Sequence, residues 1–255
     1  MTPMTTPADC LPEEIYAATI ANLLQGVKHV AVGMLSPIPG AGALLAKATS
    51  DAPVRVSILG SHQHNPWTNG GNELFDVAGR GGIGAFFLSG GQIDGHGNIN
   101  LVGVGDYPAT SVRWSGSFGS AYLYFLVPKV ILFRWEHSRR TLVDQVDFIS
   151  APGRSDPGVY RPGGPVALMT NLCLFAYQKD KGRFKLESIH PGHSIEEVRD
   201  QTGFDFDAPE DVPTTALPSA NQLALLRGPV ADQMVEIYPK FAAEVFGRTG
   251  QASLT

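Results

Sequence analysis

Apolar positions along the chain alternate between helical and strand-like spacing, which predicts an α/β fold. Residues 13–25 carry apolar side chains at helical spacing, with acidic residues at the start of the stretch. Continuous apolar runs at 27–34, 54–59 and 86–88 are typical of strands buried in a parallel sheet. We therefore predict an open, mainly parallel sheet flanked by helices.

Further elements are predicted downstream of these strands. Strands are expected at 130–135, 145–149, 166–169, 172–177 and 184–188. Residues 153–164 are rich in proline and glycine and predict an irregular surface segment. Ser194 can cap a short helix that runs to Thr202, and a last helix from Asn221 onward is expected to kink at Pro239.

A glycine-containing turn, residues 36–42, joins the strand at 27–34 to a helix that runs through Lys47. Gly40-Ala41-Gly42 in this turn could mark a dinucleotide-binding loop, but the third glycine of that fingerprint is absent. The opening of an ordinary α/β unit is therefore the favoured interpretation.

Composition narrows the class of protein. A chain of 255 residues can bury a sizeable core, and we predict one domain over residues 1–255. The formal charge of -5 gives no basic footprint, which argues against nucleic acid as a partner. Cys10 and Cys173 are too few for a disulfide framework. The absence of a signal-like start and the prolines that interrupt the apolar stretch 29–49 predict a cytoplasmic protein that does not enter a membrane.

Two stretches are candidate sites because each follows a predicted strand. In the stretch 86–100, the pair Gly90-Gly91 allows close approach of a ligand to the backbone. Gln92 next to it could donate an amide hydrogen bond into a pocket or satisfy buried backbone groups. The loop 61–71 carries His62 and Asn65 just past a strand, where ligands bind in open α/β sheets. A merely solvated loop is the alternative.

Three segments, LSGGQIDGHGNIN, VGDYPATSVRWSGSFGSA and VDQVDFISAPG, occur here in one order. In sequence and spacing they resemble the beta subunit of family I coenzyme A transferases, the glutaconate CoA-transferase type. The resemblance covers residues 13–227. It implies an alpha subunit of the same family as partner, an α2β2 assembly, and an acyl-CoA substrate. It implies no cofactor besides the coenzyme A that the substrate carries.

One position departs from the pattern of the transferases. Where they carry the glutamate that forms the enzyme-CoA thioester, this chain has Gly60, which has no side chain. The segment GSHQHN is similar to one branch of the family, the beta subunits of hydrolases that open a steroid-derived ring in cholesterol catabolism. That branch implies hydrolysis of a ring C–C bond in a cyclic β-keto acyl-CoA. A transferase with its nucleophile elsewhere and a non-catalytic partner of the alpha subunit are the alternatives.

The resemblance also implies roles for single residues. It places Gly116 and Gly119 near an oxyanion hole, although Phe118 replaces one of the usual paired glycines. His62 is the candidate catalytic residue in this chain, while the main acid/base is expected on the alpha subunit. The predicted substrate-binding residues are Gly60, Ser61, His62, Asn65, Gln92, Gly116, Ser117, Gly119 and Arg134.

Arg134 lies in the apolar run VILFRW, and it could bind a substrate carboxylate or form a structural ion pair. The pairs His62/His64 and His190/His193 could bind a metal ion, but no HExxH motif or cysteine cluster accompanies them. We therefore predict no metal site.

Overall fold

The computed structural model describes residues 10–249, which form two compact units. The first unit is built from the segments 10–66 and 216–249, and the second unit is the continuous segment Trp67–Thr215. The expectation of one domain over 1–255 stays a prediction. No helix within 10–249 has the length and apolar character that crossing a membrane requires.

The helices and strands follow one another along the whole of this range. The helices are α1 (Pro12–Leu23), α2 (Pro37–Thr49), α3 (Gly70–Gly79), α4 (Ser120–Leu126), α5 (Ile195–Gln201), α6 (Ala220–Leu225), α7 (Ala231–Ile237) and α8 (Pro239–Phe246). The strands are β1 (His29–Val32), β2 (Arg55–Ile58), β3 (Ala85–Leu88), β4 (Gln92–Ile93), β5 (Ile99–Asn100), β6 (Gly103–Val104), β7 (Val112–Arg113), β8 (Lys129–Phe133), β9 (Pro165–Met169), β10 (Cys173–Gln178) and β11 (Arg183–Ile189).

In the first unit, β1 and β2 form a parallel pair, and helices α1 and α2 pack closely together. A Cβ atom on Gly42 would lie 2.5 Å from Cγ2 of Ile20, so only glycine permits this approach of the two helices. Gly40 already lies inside α2, because the helix begins at Pro37. The glycines that suggested a dinucleotide loop therefore belong to a helix rather than to the expected turn, and one of them serves helix packing.

The C-terminal segment of the first unit is helical and bends twice. A kinked turn, Leu226–Val230, joins α6 to α7, because the backbone of Gly228 leaves the helical region there (φ -109°, ψ -108°) and Pro229 follows it. The chain breaks again at Tyr238, and α8 starts at Pro239, which confirms the predicted kink. Arg227 in this turn binds the carboxylate of Glu14 in α1 at 2.6 and 2.8 Å. Glu14 is almost completely buried, so this ion pair compensates a charge that would otherwise be costly.

The second unit contains five strands in a mixed sheet. Pairs β3–β8 and β8–β9 are parallel, whereas β9–β10 and β10–β11 are antiparallel. Together with β1–β2, three of these five pairs are parallel, and the predicted mainly parallel α/β class is confirmed. The short pairs β4–β5 and β6–β7 are separate antiparallel ribbons. Phe175 of β10 packs against the rings of Phe184, Phe204 and Phe206 in the core.

The predicted strand at 145–149 is wrong, because this segment forms bends instead. Asp147 within it uses its carboxylate and backbone to bind Gln92 and Gly105, contacts that hold the chain in a loop. Helices α3 and α4 were not predicted. The pair Gly70-Gly71 resembles a turn in sequence, yet Glu73 accepts hydrogen bonds from Thr68 and Asn69 and stabilises the start of α3.

Candidate active site

The glycine pair after β3 lines a cavity of about 450 Å³ at the carboxyl ends of β3 and β8, here called the glycine-pair cavity. Its walls include Ser89, Gly90, Gly91, Leu101, Trp114 and Arg134. A Cβ atom on Gly91 would collide with the indole ring of Trp114, so the glycine is needed for this packing. The stretch that the sequence singled out therefore lies at a cavity, in the position where open α/β sheets bind ligands.

Arg134 brings a positive charge to the glycine-pair cavity. The residue follows directly after β8, and its Nη2 lies 3.4 Å from Oε2 of Glu136. Its Nε–H is buried and has no acceptor among the residues that the structure describes. The Glu136 carboxylate is shared between two arginines, because Arg140 also binds it, at 2.8 Å. The guanidinium group can thus offer a donor to an anion in a largely apolar cavity.

Gln92 is held by hydrogen bonds with the nearby Asn100 and with Asp147, which is distant in sequence. Its Oε1 accepts hydrogen bonds from Nδ2 of Asn100 at 2.7 Å and from the backbone N–H of Asp147 at 3.0 Å, and its Nε2 donates to Asp147 at 3.1 Å. Gln92 is buried. These contacts fix the turn that follows the glycine pair, and the role of Gln92 in substrate binding stays a prediction.

The bend from Gly116 to Gly119 leads into α4 and has an unusual backbone. Gly116 and Phe118 have φ values of 103° and 46°, a region that favours glycine. The Phe118 ring packs 5.5 Å from that of Phe75, although most of the side chain is exposed. A Cβ on Gly119 would collide with Phe75, and the carbonyl of Ser117 accepts a hydrogen bond from Ser120. The bend is therefore fixed, and its role as an oxyanion hole stays a prediction.

In the first unit, the loop after β2 is organised around the hydroxyl group of Ser61. Gly60 has φ of 88°, and the buried Ser61 follows it. The Oγ of Ser61 donates to Glu236 at 2.8 Å and accepts from the backbone N–H groups of Gln63 and His64 at 3.1 and 2.8 Å. The backbone N–H of His62 also donates to Glu236, at 2.6 Å. A single carboxylate thus holds the loop at two adjacent residues.

Glu236 is the part of this arrangement that the sequence did not reveal. It lies in α7, and 175 positions separate it from Ser61. An isolated glutamate on a helix carries no motif, so no sequence signal pointed to it. The loop next to Gly60 therefore contacts a carboxylate that the C-terminal segment supplies.

The remaining predicted residues of this loop differ in burial. His62 is exposed, whereas His64 and Asn65 are half-buried. Burial, together with the charge of Lys47, lowers the pKa of His64 below its ordinary value, so this imidazole is neutral near pH 7. The assignment of His62 as catalytic residue stays a prediction.

Two further histidines of the second unit are buried among threonine hydroxyl groups. The ring nitrogens of His137 lie 2.8 Å from the Oγ1 atoms of Thr170 and Thr202. His190 is bound to Oγ1 of Thr215 at 2.8 Å and to the carbonyl of Thr170 at 3.1 Å. Burial lowers the pKa of each histidine to about 4. Within 10–249 no group of three or more histidine, cysteine, aspartate or glutamate residues could hold a metal ion.

Two known proteins are similar in sequence to this chain. A 3-oxoadipate CoA-transferase subunit of Pseudomonas knackmussii is 35% identical over 162 residues, which are 61% of this chain and 62% of that protein. The chain thus matches less than two thirds of the length of this relative. A cholesterol ring-cleaving hydrolase IpdB subunit of Rhodococcus jostii is 24% identical over 229 residues, which are 84% of this chain and 90% of that protein.

A solved structure has the same fold, and a family profile identifies the chain. The decarboxylase AibA/AibB superposes with a TM-score of 0.73 and 25% identity, covering 90% of this chain and 99% of that one. The profile of the family described as coenzyme A transferase matches residues 12–201, which is most of the sequence. The chain therefore belongs to the coenzyme A transferase family, among its beta-subunit homologues.

Proposed function

We propose that this chain is the beta subunit of a heteromeric hydrolase that opens a ring in a cyclic β-keto acyl-CoA, as in steroid breakdown. The observation that carries the proposal is Gly60, at the position where the transferases of the family carry their nucleophilic glutamate. A glycine cannot form a thioester with coenzyme A. Its φ of 88° is also one that residues with side chains rarely adopt, so the backbone here suits glycine.

The neighbours of Gly60 do not restore a free nucleophile. The hydroxyl of Ser61 is buried and bound to Glu236. Both oxygens of the Glu236 carboxylate accept hydrogen bonds from the loop, one from Ser61 and one from His62. Because these groups already stabilise the loop, we assign them to positioning rather than to covalent catalysis.

The lining of the glycine-pair cavity is consistent with an acyl substrate that carries a carboxylate. Leu101, Val104 and Trp114 give it an apolar wall suited to a hydrocarbon ring, and Arg134 adds a buried donor for an anion. Its volume of about 450 Å³ lies in the range of small-molecule sites.

The proposed reaction needs water and a base but no covalent adduct on this chain. Water attacks the ring ketone, and its proton passes to the base, which the family resemblance places on the alpha subunit. The C–C bond to the α-carbon of the thioester then breaks, and its electron pair forms the thioester enolate. Protonation of that carbon gives a ring-opened carboxylic acid that still carries coenzyme A. Donors that stabilise the enolate lower the barrier.

The relatives support a two-component assembly. Two are named as subunits, and the third is a protein of two components, AibA and AibB. We infer an alpha subunit of the same family and an α2β2 complex in the cytoplasm, with coenzyme A present only as part of the substrate.

A CoA transferase is the second candidate, because the relative with 35% identity carries that name. It requires a nucleophile outside position 60. The third candidate, a non-catalytic beta subunit, requires that His62, Gln92 and Arg134 be dispensable for turnover while the complex stays intact.

The test is mass spectrometry of the products that the co-purified complex forms from a cyclic β-keto acyl-CoA in water, without an acceptor acid. The proposal expects a product heavier by one water that retains coenzyme A. Coenzyme A that appears only on an added free acid would establish the transferase instead. A product lighter by one carbon dioxide would indicate a decarboxylase, and either result contradicts the proposal.

A further inference from the structure

A second cavity of the second unit lies at the opposite end of β8 from the glycine-pair cavity. Its volume is about 310 Å³, and its lining includes Pro128, just before β8, and Pro165, the first residue of β9. The glycine-pair cavity is lined instead by residues that follow β3 and β8. The two cavities are therefore separate sites, and the one near the amino ends of the strands is here called the basic cavity.

The charged residues that line the basic cavity are all cations. They are Arg154, Arg161 and Lys179, and no acidic residue is among its lining residues. Arg154 and Lys179 are exposed, and neither forms an ion pair within 10–249. Three positive charges around one cavity repel each other, and an anion in the cavity would relieve this repulsion.

Arg161 is held in place so that part of its guanidinium group remains available. Its Nε donates to the carbonyl of Gly163 at 3.2 Å, and its Nη2 donates to the carbonyl of Tyr124 at 3.0 Å. The guanidinium carbon also lies 5.2 Å from the centre of the Tyr124 ring. The third nitrogen, Nη1, is buried and has no acceptor in the described part of the chain. A buried N–H without an acceptor is costly, so its persistence points to a ligand.

We propose that the basic cavity binds the phosphate group of a small molecule. An arginine fixed by backbone carbonyls offers directed N–H donors, and the exposed Arg154 and Lys179 add two positive charges, a combination that suits phosphate oxygens. Tyr177 and Val159 also line the cavity and supply surface for an attached organic group. The phosphate can come from inorganic phosphate or from the nucleotide end of coenzyme A, and the proposal does not depend on the reaction at the glycine-pair cavity.

The test is isothermal titration of the full-length chain with inorganic phosphate and, separately, with adenosine 3′,5′-bisphosphate. The double variant R154Q/K179Q removes two charges at the exposed rim of the cavity, where folding should be preserved. The matched control R80Q/K185Q removes two charges from exposed residues of the same unit outside the cavity. Circular dichroism verifies that both variants are folded.

The proposal expects saturable binding to the native chain and the control, and binding weaker by about tenfold or more in R154Q/K179Q. Tighter binding of the bisphosphate than of phosphate identifies a nucleotide as the ligand, whereas equal binding identifies the phosphate group alone. Absence of saturable binding to the native chain overturns the proposal. Equal weakening in both double variants does so too, because it would indicate non-specific charge attraction.

Discussion

At the scale of single residues, the backbone of Gly60 has a φ of 88°, which favours glycine over residues with a side chain. Alanine at position 60 has space, since the nearest atoms, in Met34, would lie 3.8 Å from its Cβ, so only backbone strain opposes it. We expect Gly60→Ala to lower the free energy of unfolding by about 1 kcal/mol. Gly33→Ala is the control, because Gly33 has comparable space and no positive φ. Urea denaturation measures both, and equal stabilities would contradict the argument from φ.

Arg134 tests the assignment of the glycine-pair cavity. Replacement by glutamine removes the charge, and we expect KM for an acyl-CoA with a carboxylate on its acyl group to rise about tenfold to a hundredfold. KM for a matched acyl-CoA without that carboxylate should change little. Steady-state kinetics of Arg134→Gln beside Arg80→Gln, an exposed residue outside the cavity, separates these effects. An equal rise for both substrates would assign Arg134 to a structural ion pair with Glu136 instead.

At the scale of elements, α7 controls the loop that follows β2. We expect Glu236→Ala to lower the free energy of unfolding by about 1 to 3 kcal/mol, because Ser61 and the N–H of His62 lose a charged acceptor. Hydrogen exchange at His62 should become faster. The control is Glu244→Ala in α8, whose ion pair with Lys240 is long at 3.8 Å and exposed. Unchanged exchange at His62 would show that the loop holds its shape without α7.

The sequence predicted those strands and helices that are determined by residues within the element itself. Apolar runs located β1, β2, β3 and β8 to β11, and Ser194 capped α5 as expected through the N–H of Glu197. The glycine pair at the end of β3 indicated the cavity beside Gly91. The wrong prediction has a cause that is distant in sequence. Apolar residues at 145–149 suggested a strand, but contacts of Asp147 with distant segments decide the conformation. Glu236 reaches its partners only through the fold, so no pattern within α7 indicates its role.

At the scale of the whole molecule, the buried histidines make stability depend on pH. The folded chain keeps His137 and His190 neutral with pKa values of about 4, whereas an unfolded histidine binds a proton below its ordinary pKa of 6.5. The unfolded state therefore takes up more protons as the pH falls from 6.5 towards 4, and stability decreases in that window. Between about pH 7 and pH 5, each histidine should remove about 2 kcal/mol.

Urea denaturation of the native chain and His137→Gln at several pH values in this window checks the expectation. The variant should start less stable at neutral pH but lose less stability on acidification, so the two curves converge. Parallel curves would mean that His137 does not take part in the pH dependence.

The first unit consists of two segments that are separated in sequence by the whole second unit. These two segments are connected by the ion pair between Glu14 and Arg227. Their separation of 213 residues means that, at about 5 to 20 residues per second, ribosomal synthesis of the second partner follows the first by about 10 to 40 s. The whole of Trp67–Thr215 emerges during that interval and can fold as a continuous segment. The carboxylate of Glu14 in α1 has no ion-pair partner in Arg227 until Arg227 has been synthesised. The first unit is therefore begun before the second unit and completed after it.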